Sequence, residues 1–155
     1  MKRLELVPLL SAFLLSASLA QVPVLSPIVG ATADDIVKGF GPRLHPLLNT
    51  LRSHNGADFK VPVGTDVLAT AAGRVVDEGR SESYGVYVVI DHAEGYQTFY
   101  AHLSKSIVRR GQMVEAAAKI AESGDSGLTS VPGLHYEILK DKKHLDPKTY
   151  IRASR

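Results

Sequence analysis

The sequence predicts an all-β domain, an antiparallel sheet or sandwich, on three observations. Segments rich in β-branched residues, Val67 to Val76 and Val86 to Ile90, are bounded by Gly64, Gly73, Gly79, Gly85 and Gly95. Asp91-His92-Ala93-Glu94-Gly95 reads as a turn that feeds the run Tyr96-Gln97-Thr98-Phe99-Tyr100. Gly64-x-x-Val67-x-Ala69 recurs as Gly111-x-x-Val114-x-Ala116, a weak internal echo that suggests two related β units.

Taken in order, residues 1–20 read as a signal peptide: a basic start at Lys2 and Arg3, an apolar run from Leu6 to Leu19, and a small-x-small ending at Ser18-Leu19-Ala20. Cleavage is expected after Ala20, giving a secreted, periplasmic or cell-wall-associated protein with no membrane attachment afterwards. The alternative, an uncleaved anchor, is disfavoured because the run falls short of the roughly 20 apolar residues a span requires. Residues 21–38, with Pro23 and Pro27, suit an extended lead-in or edge strand. The compact domain is expected over 39–151, and 152–155 form a tail. Val114 to Glu122 is Ala-rich and ambiguous, but Gly111 and the echo favour strand or loop.

Eighteen Lys and Arg against sixteen Asp and Glu leave a net charge of +2 over 155 residues, and +1 without Lys2, Arg3 and Glu5. Such a dispersed balance carries no nucleic-acid footprint. The absence of Cys excludes disulfides, thiolate metal sites and a thiol nucleophile. Any metal must be held by His, Asp or Glu.

Two clusters offer those ligands. In His54-Asn55-Gly56-Ala57-Asp58 the Asn-Gly pair favours a turn, so the imidazole and the carboxylate can converge from a tight loop. That spacing alone is weak evidence, since a surface His and an N-cap Asp give the same pattern. In Gly133-Leu134-His135-Tyr136-Glu137-Ile138 a period of two puts Gly133, His135 and Glu137 on one face and Leu134, Tyr136 and Ile138 on the other. The polar face is either the floor of a site or the wet side of an edge strand.

Together with Gly41-Pro42-Arg43-Leu44-His45-Pro46, Pro62-x-Gly64-Thr65-x-Val67, Tyr84-Gly85-x-x-Val88-x-Ile90-x-His92, Tyr100-Ala101-His102-Leu103-Ser104 and Gly111-Gln112, these segments occur in an order and spacing that resembles the lysostaphin-type (LytM-like) zinc metallo-endopeptidases of peptidoglycan. The resemblance runs from about Gly39 to Tyr150. It implies a β-sheet with an open groove, one Zn2+ per chain held by His54, Asp58 and His135, and His102 as a catalytic histidine beside the metal. It also implies peptidoglycan cross-links or stem peptides as substrate. A zinc-activated water is the expected nucleophile, since three protein ligands with an open position bring bound water to a pKa of about 7.

The pattern is broken at one position. Where the family has His-Leu-His this chain has Gly133-Leu134-His135, so one of two imidazoles flanking the metal is missing. Losing one donor to a developing oxyanion costs on the order of 10²–10³ in rate. Either His102 suffices, another residue such as His45 or His144 fills the gap, or the domain is a non-catalytic wall-binding or regulatory module. Arg43, Tyr84 and Tyr100 are candidate groove residues, although a paired structural Arg43 is as consistent. Glu137 is a candidate to orient a ligand imidazole, with a plain strand-edge ion pair as the alternative. His92 reads as a surface or hydrogen-bonding residue, and His45 and His144 as solvated.

Overall fold

The computed structural model describes residues 21–44 and 49–152; the expected signal segment, His45 and the last three residues lie outside them. Among the described residues the regular structure is almost entirely strand, so the all-β antiparallel expectation holds. In chain order the strands are β1 (Ile36–Lys38), β2 (Gly41–Leu44), β3 (Leu51–His54), β4 (Ala57–Phe59), β5 (Asp66–Leu68), β6 (Gly73–Ser81), β7 (Gly85–Asp91), β8 (Tyr96–Ser106), β9 (Met113–Val114), β10 (Lys119–Ser123), β11 (Leu134–Lys140) and β12 (Lys143–Leu145). One sheet runs β1-β4-β11-β8-β7-β6-β9, with β12 paired to β11 and β10 joining β5 to β8. Strands β2 and β3 form a separate hairpin whose last residue is His54.

Alternation on the strands builds the core. Val67, Val75, Val88, Ile90, Leu103, Ile120 and Ile138 are fully buried, each such side chain contributing about 1.5–3 kcal/mol through loss of apolar surface to water. Val67 and Val114, the matched positions of the echo, both lie in short strands and both enter the core. The Ala-rich stretch after Val114 holds a turn and β10, not a helix.

Three expectations change on contact with the structure. The run Val67 to Val76 is two strands, because the chain bends between them over the buried Thr70, whose hydroxyl meets those of Tyr100 and Tyr136 at 3.1 and 2.8 Å. Tyr100 therefore does not line the groove. Its ring is wholly buried against Tyr136, and its hydroxyl accepts from the Thr70 amide at 3.1 Å. Finally, the lead-in packs on the domain: Ile28 is buried in the core and bridges to Val67, and β1 pairs with β4. The compact body thus begins before Gly39, and Arg152 of the expected tail donates its amide to the Val24 carbonyl at 2.9 Å.

Candidate metal centre

The site forms where β3, β4, β8 and β11 meet. His54 ends β3, Asn55 and Gly56 turn the chain, and Asp58 lies in the middle of β4. Gly56 is pressed against β11, and a Cβ there would collide with the Tyr136 carbonyl, so the tight turn needs glycine. Asp58 and His135 are direct partners across β4 and β11, which puts their side chains on one face.

Three donor atoms converge. His54 Nε2 lies 3.2 Å from Asp58 Oδ1 and 3.3 Å from His135 Nδ1, and His135 Nδ1 lies 2.7 Å from Asp58 Oδ1. Bonds of about 2.0–2.1 Å in a tetrahedron separate ligand atoms by about 3.3 Å, so this triangle is close to one face of a zinc coordination shell. The outer nitrogens are committed elsewhere, as ligand imidazoles require: His54 Nδ1–H donates to the Gly39 carbonyl at 2.8 Å, and His135 Nε2 faces Glu137 Oε1 at 2.9 Å. The residues present fit the ion.

The electrostatics follow from that crowding. Burial opposes the charge on Asp58, but hydrogen bonds from His135 and His54 hold its carboxyl far below the ordinary carboxylate range. Burial likewise opposes the imidazolium of His135, which is only 6% exposed, yet its contacts with Asp58 and Glu137 raise its pKa to about 9 in the metal-free chain. The stabilisation that proton provides is fully present below the unfolded histidine pKa near 6.5 and fades as pH rises through about 9. A metal at Nδ1 must displace it. Zinc binding at pH 7.5 is therefore expected to release about one proton per chain, with affinity rising about tenfold per pH unit up to pH 9. Calorimetry in two buffers of different ionisation enthalpy measures this; heats that match in both buffers would contradict it.

His102 faces the same groove from β8. The pairing of β8 with β7 slips between Val86 and Val88, a bulge that puts His102 at φ +59° and turns its side chain out of the ladder. Nδ1–H donates to the Ser126 carbonyl at 2.8 Å, which leaves Nε2 with its lone pair. Burial lowers the His102 pKa, so the ring is neutral at pH 7.

An open groove of about 430 Å³ connects these groups and is lined by Arg52, His54, Tyr84, His102, His135 and Glu137 among others. Tyr84 borders it, its ring centroid 5.9 Å from that of His135. Arg43 sits on the exposed β2–β3 hairpin, its guanidinium turned to the Gly39 carbonyl; Arg52, its register partner, is the arginine that lines the groove. His92 is half-buried and joins the Ala72 carbonyl to the Thr98 hydroxyl, both at 2.8 Å. His144 is not solvated as expected. It is partly buried, and its Nε2 donates to Glu137 Oε2 at 2.9 Å, so Glu137 bridges two histidines. The hairpin register that pairs Leu139 with His144 creates this contact, and nothing in the spacing of the sequence announces it.

Gly133 has no room for a side chain. A Cβ built on it falls against the Phe59 carbonyl oxygen, so the backbone has closed over the position where the resemblance calls for an imidazole.

A nearly all-β domain whose sheet brings two imidazoles and a carboxylate together on an open groove defines a class of protein with the donor set for a divalent metal ion. Residues 52–147 match Peptidase family M23, and the chain belongs to that family. It is 39% identical over 112 residues to the peptidoglycan DD-endopeptidase ShyB of Vibrio cholerae, covering 72% of this chain and 26% of the relative. It thus spans about a quarter of the length of that relative. Among solved structures it is similar to a zinc containing peptidase from Vibrio cholerae, with TM-score 0.71, 38% identity, and 73% and 35% of the two chains covered. The catalytic domain of lysostaphin from Staphylococcus simulans is also similar, with TM-score 0.66, 28% identity, and 76% and 93% covered.

Proposed function

We propose that this chain is an exported zinc endopeptidase that hydrolyses peptide cross-links or stem peptides of peptidoglycan in the periplasm or cell wall. The observation that carries the reading is the triangle of His54, Asp58 and His135 donor atoms, with each outer nitrogen already hydrogen-bonded. Zinc held there supplies Lewis-acid polarisation of the scissile carbonyl and acidifies water. The remaining work belongs to the chain. His102, neutral and with Nε2 free, takes the proton of the attacking water and returns it to the leaving amine. Glu137 holds the His135 ring by its Nε2–H, and Tyr84 and Arg52 border the bound peptide. The substrate class comes from the relatives, which are named as peptidoglycan endopeptidases.

Purified peptidoglycan incubated with the zinc-loaded chain is expected to yield new amino termini by mass spectrometry, and the His54→Ala variant none. The second reading, a wall-binding module without activity, is favoured by Gly133 alone. One zinc per chain with peptidoglycan bound but no new amino termini would support that module and overturn the hydrolase.

A further inference from the structure

The cleft beside Gly133 is the feature the hydrolase reading leaves unexplained. It measures about 20 Å³, room for one water-sized group. Its walls include Lys38, Asp58, His102 and Thr129, and among the described residues Lys38 is the one Lys or Arg that lines it. The Thr129 hydroxyl is committed to the Val131 carbonyl at 2.9 Å.

Lys38 arrives by a specific device. Ile36 pairs with Phe59, and a regular ladder would then put Val37 opposite Asp58. A bulge at Val37 puts Lys38 there instead, so its side chain shares the face of Asp58 and His135. Lys38 Nζ lies 3.8 Å from Asp58 Oδ2, the oxygen outside the donor triangle. A half-exposed pair at that distance contributes little to stability, so the ladder is not bulged for the sake of the ion pair.

We infer that the Lys38 ammonium takes over the task of the imidazole absent at position 133, donating a hydrogen bond to the carbonyl oxygen of the scissile peptide as that oxygen becomes negative. This rests on the hydrolase reading and deepens it. As the water oxygen bonds to the carbonyl carbon, the C=O π pair moves onto oxygen, where Lys38 meets it; Lys38 keeps its proton throughout. The pair returns when the C–N bond breaks, and His102 passes the water's proton to the amine. A charged donor compensates for a lost imidazole because charge-assisted hydrogen bonds are about twice as strong as neutral ones. It needs no room at Gly133 itself.

The test compares the full zinc-loaded chain with Lys38→Met, which keeps the length of the stem, and Lys38→Arg, which keeps the charge. For cleavage of a purified muropeptide dimer, Lys38→Met is expected to lower kcat by about 10²–10³ with KM and zinc content unchanged, and Lys38→Arg to recover kcat to within about tenfold. A second readout does not depend on turnover: inorganic phosphate, a tetrahedral anion, should bind the zinc-loaded Lys38→Met chain at least tenfold more weakly than the parent and Lys38→Arg. Lys38→Met with kcat within threefold of the parent overturns the inference. If the parent itself cuts nothing, the hydrolase reading fails, and phosphate affinity decides on Lys38: tenfold weakening supports a donor facing the metal, and equal affinity overturns it.

Discussion

Replacing Asp58 by alanine is expected to strip the chain of zinc and to lower peptide hydrolysis by at least about 10³-fold. The metal is asked to supply several kcal/mol of charge stabilisation, and each 1.36 kcal/mol is worth a factor of ten. The substitution acts on more than one bond. Asp58 is the anion against which His54, His135 and Lys38 are all arranged, at 3.2, 2.7 and 3.8 Å. Without it the two imidazoles face a cation with no charge to offset it, and His135 loses one of the two carboxylates that raise its pKa. The sign with pH is fixed. Interactions of the Asp58 carboxylate stabilise the fold above the unfolded aspartate pKa near 3.9 and are lost as pH falls further, so the variant should show less acid sensitivity in the metal-free state. Zinc per chain by mass spectrometry and release of amino termini measure the first effect. A variant that retains one zinc would remove Asp58 from the ligand set.

The second large effect is at His102. His102→Asn is the informative substitution, because Asn tolerates the left-handed backbone at φ +59° that other side chains resist. It is expected to lower kcat by about 10²–10⁴, the usual contribution of a positioned proton carrier, with zinc content and KM nearly unchanged. Burial lowers the pKa of this ring, so the acid limb of kcat in the parent should fall below pH 6.5 and vanish in the variant. Measured rates within threefold of the parent would place the proton transfer elsewhere.

The sequence made the donor set readable because both clusters are local. His54 and Asp58 flank a turn written as Asn-Gly, and His135 and Glu137 share a face by simple alternation. The glycine-bounded strands were readable for the same reason. Alternation sorts the two faces even where both are largely buried. Within β11, Leu134, Tyr136 and Ile138 enter the core while His135 and Glu137, though nearly buried, line the groove, so the polar face is the floor of the site. Tyr100, next to the groove-forming bulge in sequence, turns to the interior, and its neighbour Ala101 is buried with it. Long-range register was illegible. The contact of His144 with Glu137 needs the β11–β12 hairpin, whose turn residues Asp141 and Lys142 both sit at positive φ without the Asn-Gly pair that normally signals such a turn. Lys38 is placed by a bulge, which leaves no mark in a three-residue strand.

Anomalous diffraction at the zinc edge, on crystals of the chain loaded with one equivalent of zinc, tests the central claim most directly. The account predicts a single peak within about 2.0–2.2 Å of His54 Nε2, Asp58 Oδ1 and His135 Nδ1. A peak elsewhere, or none with those three atoms standing apart, would contradict it.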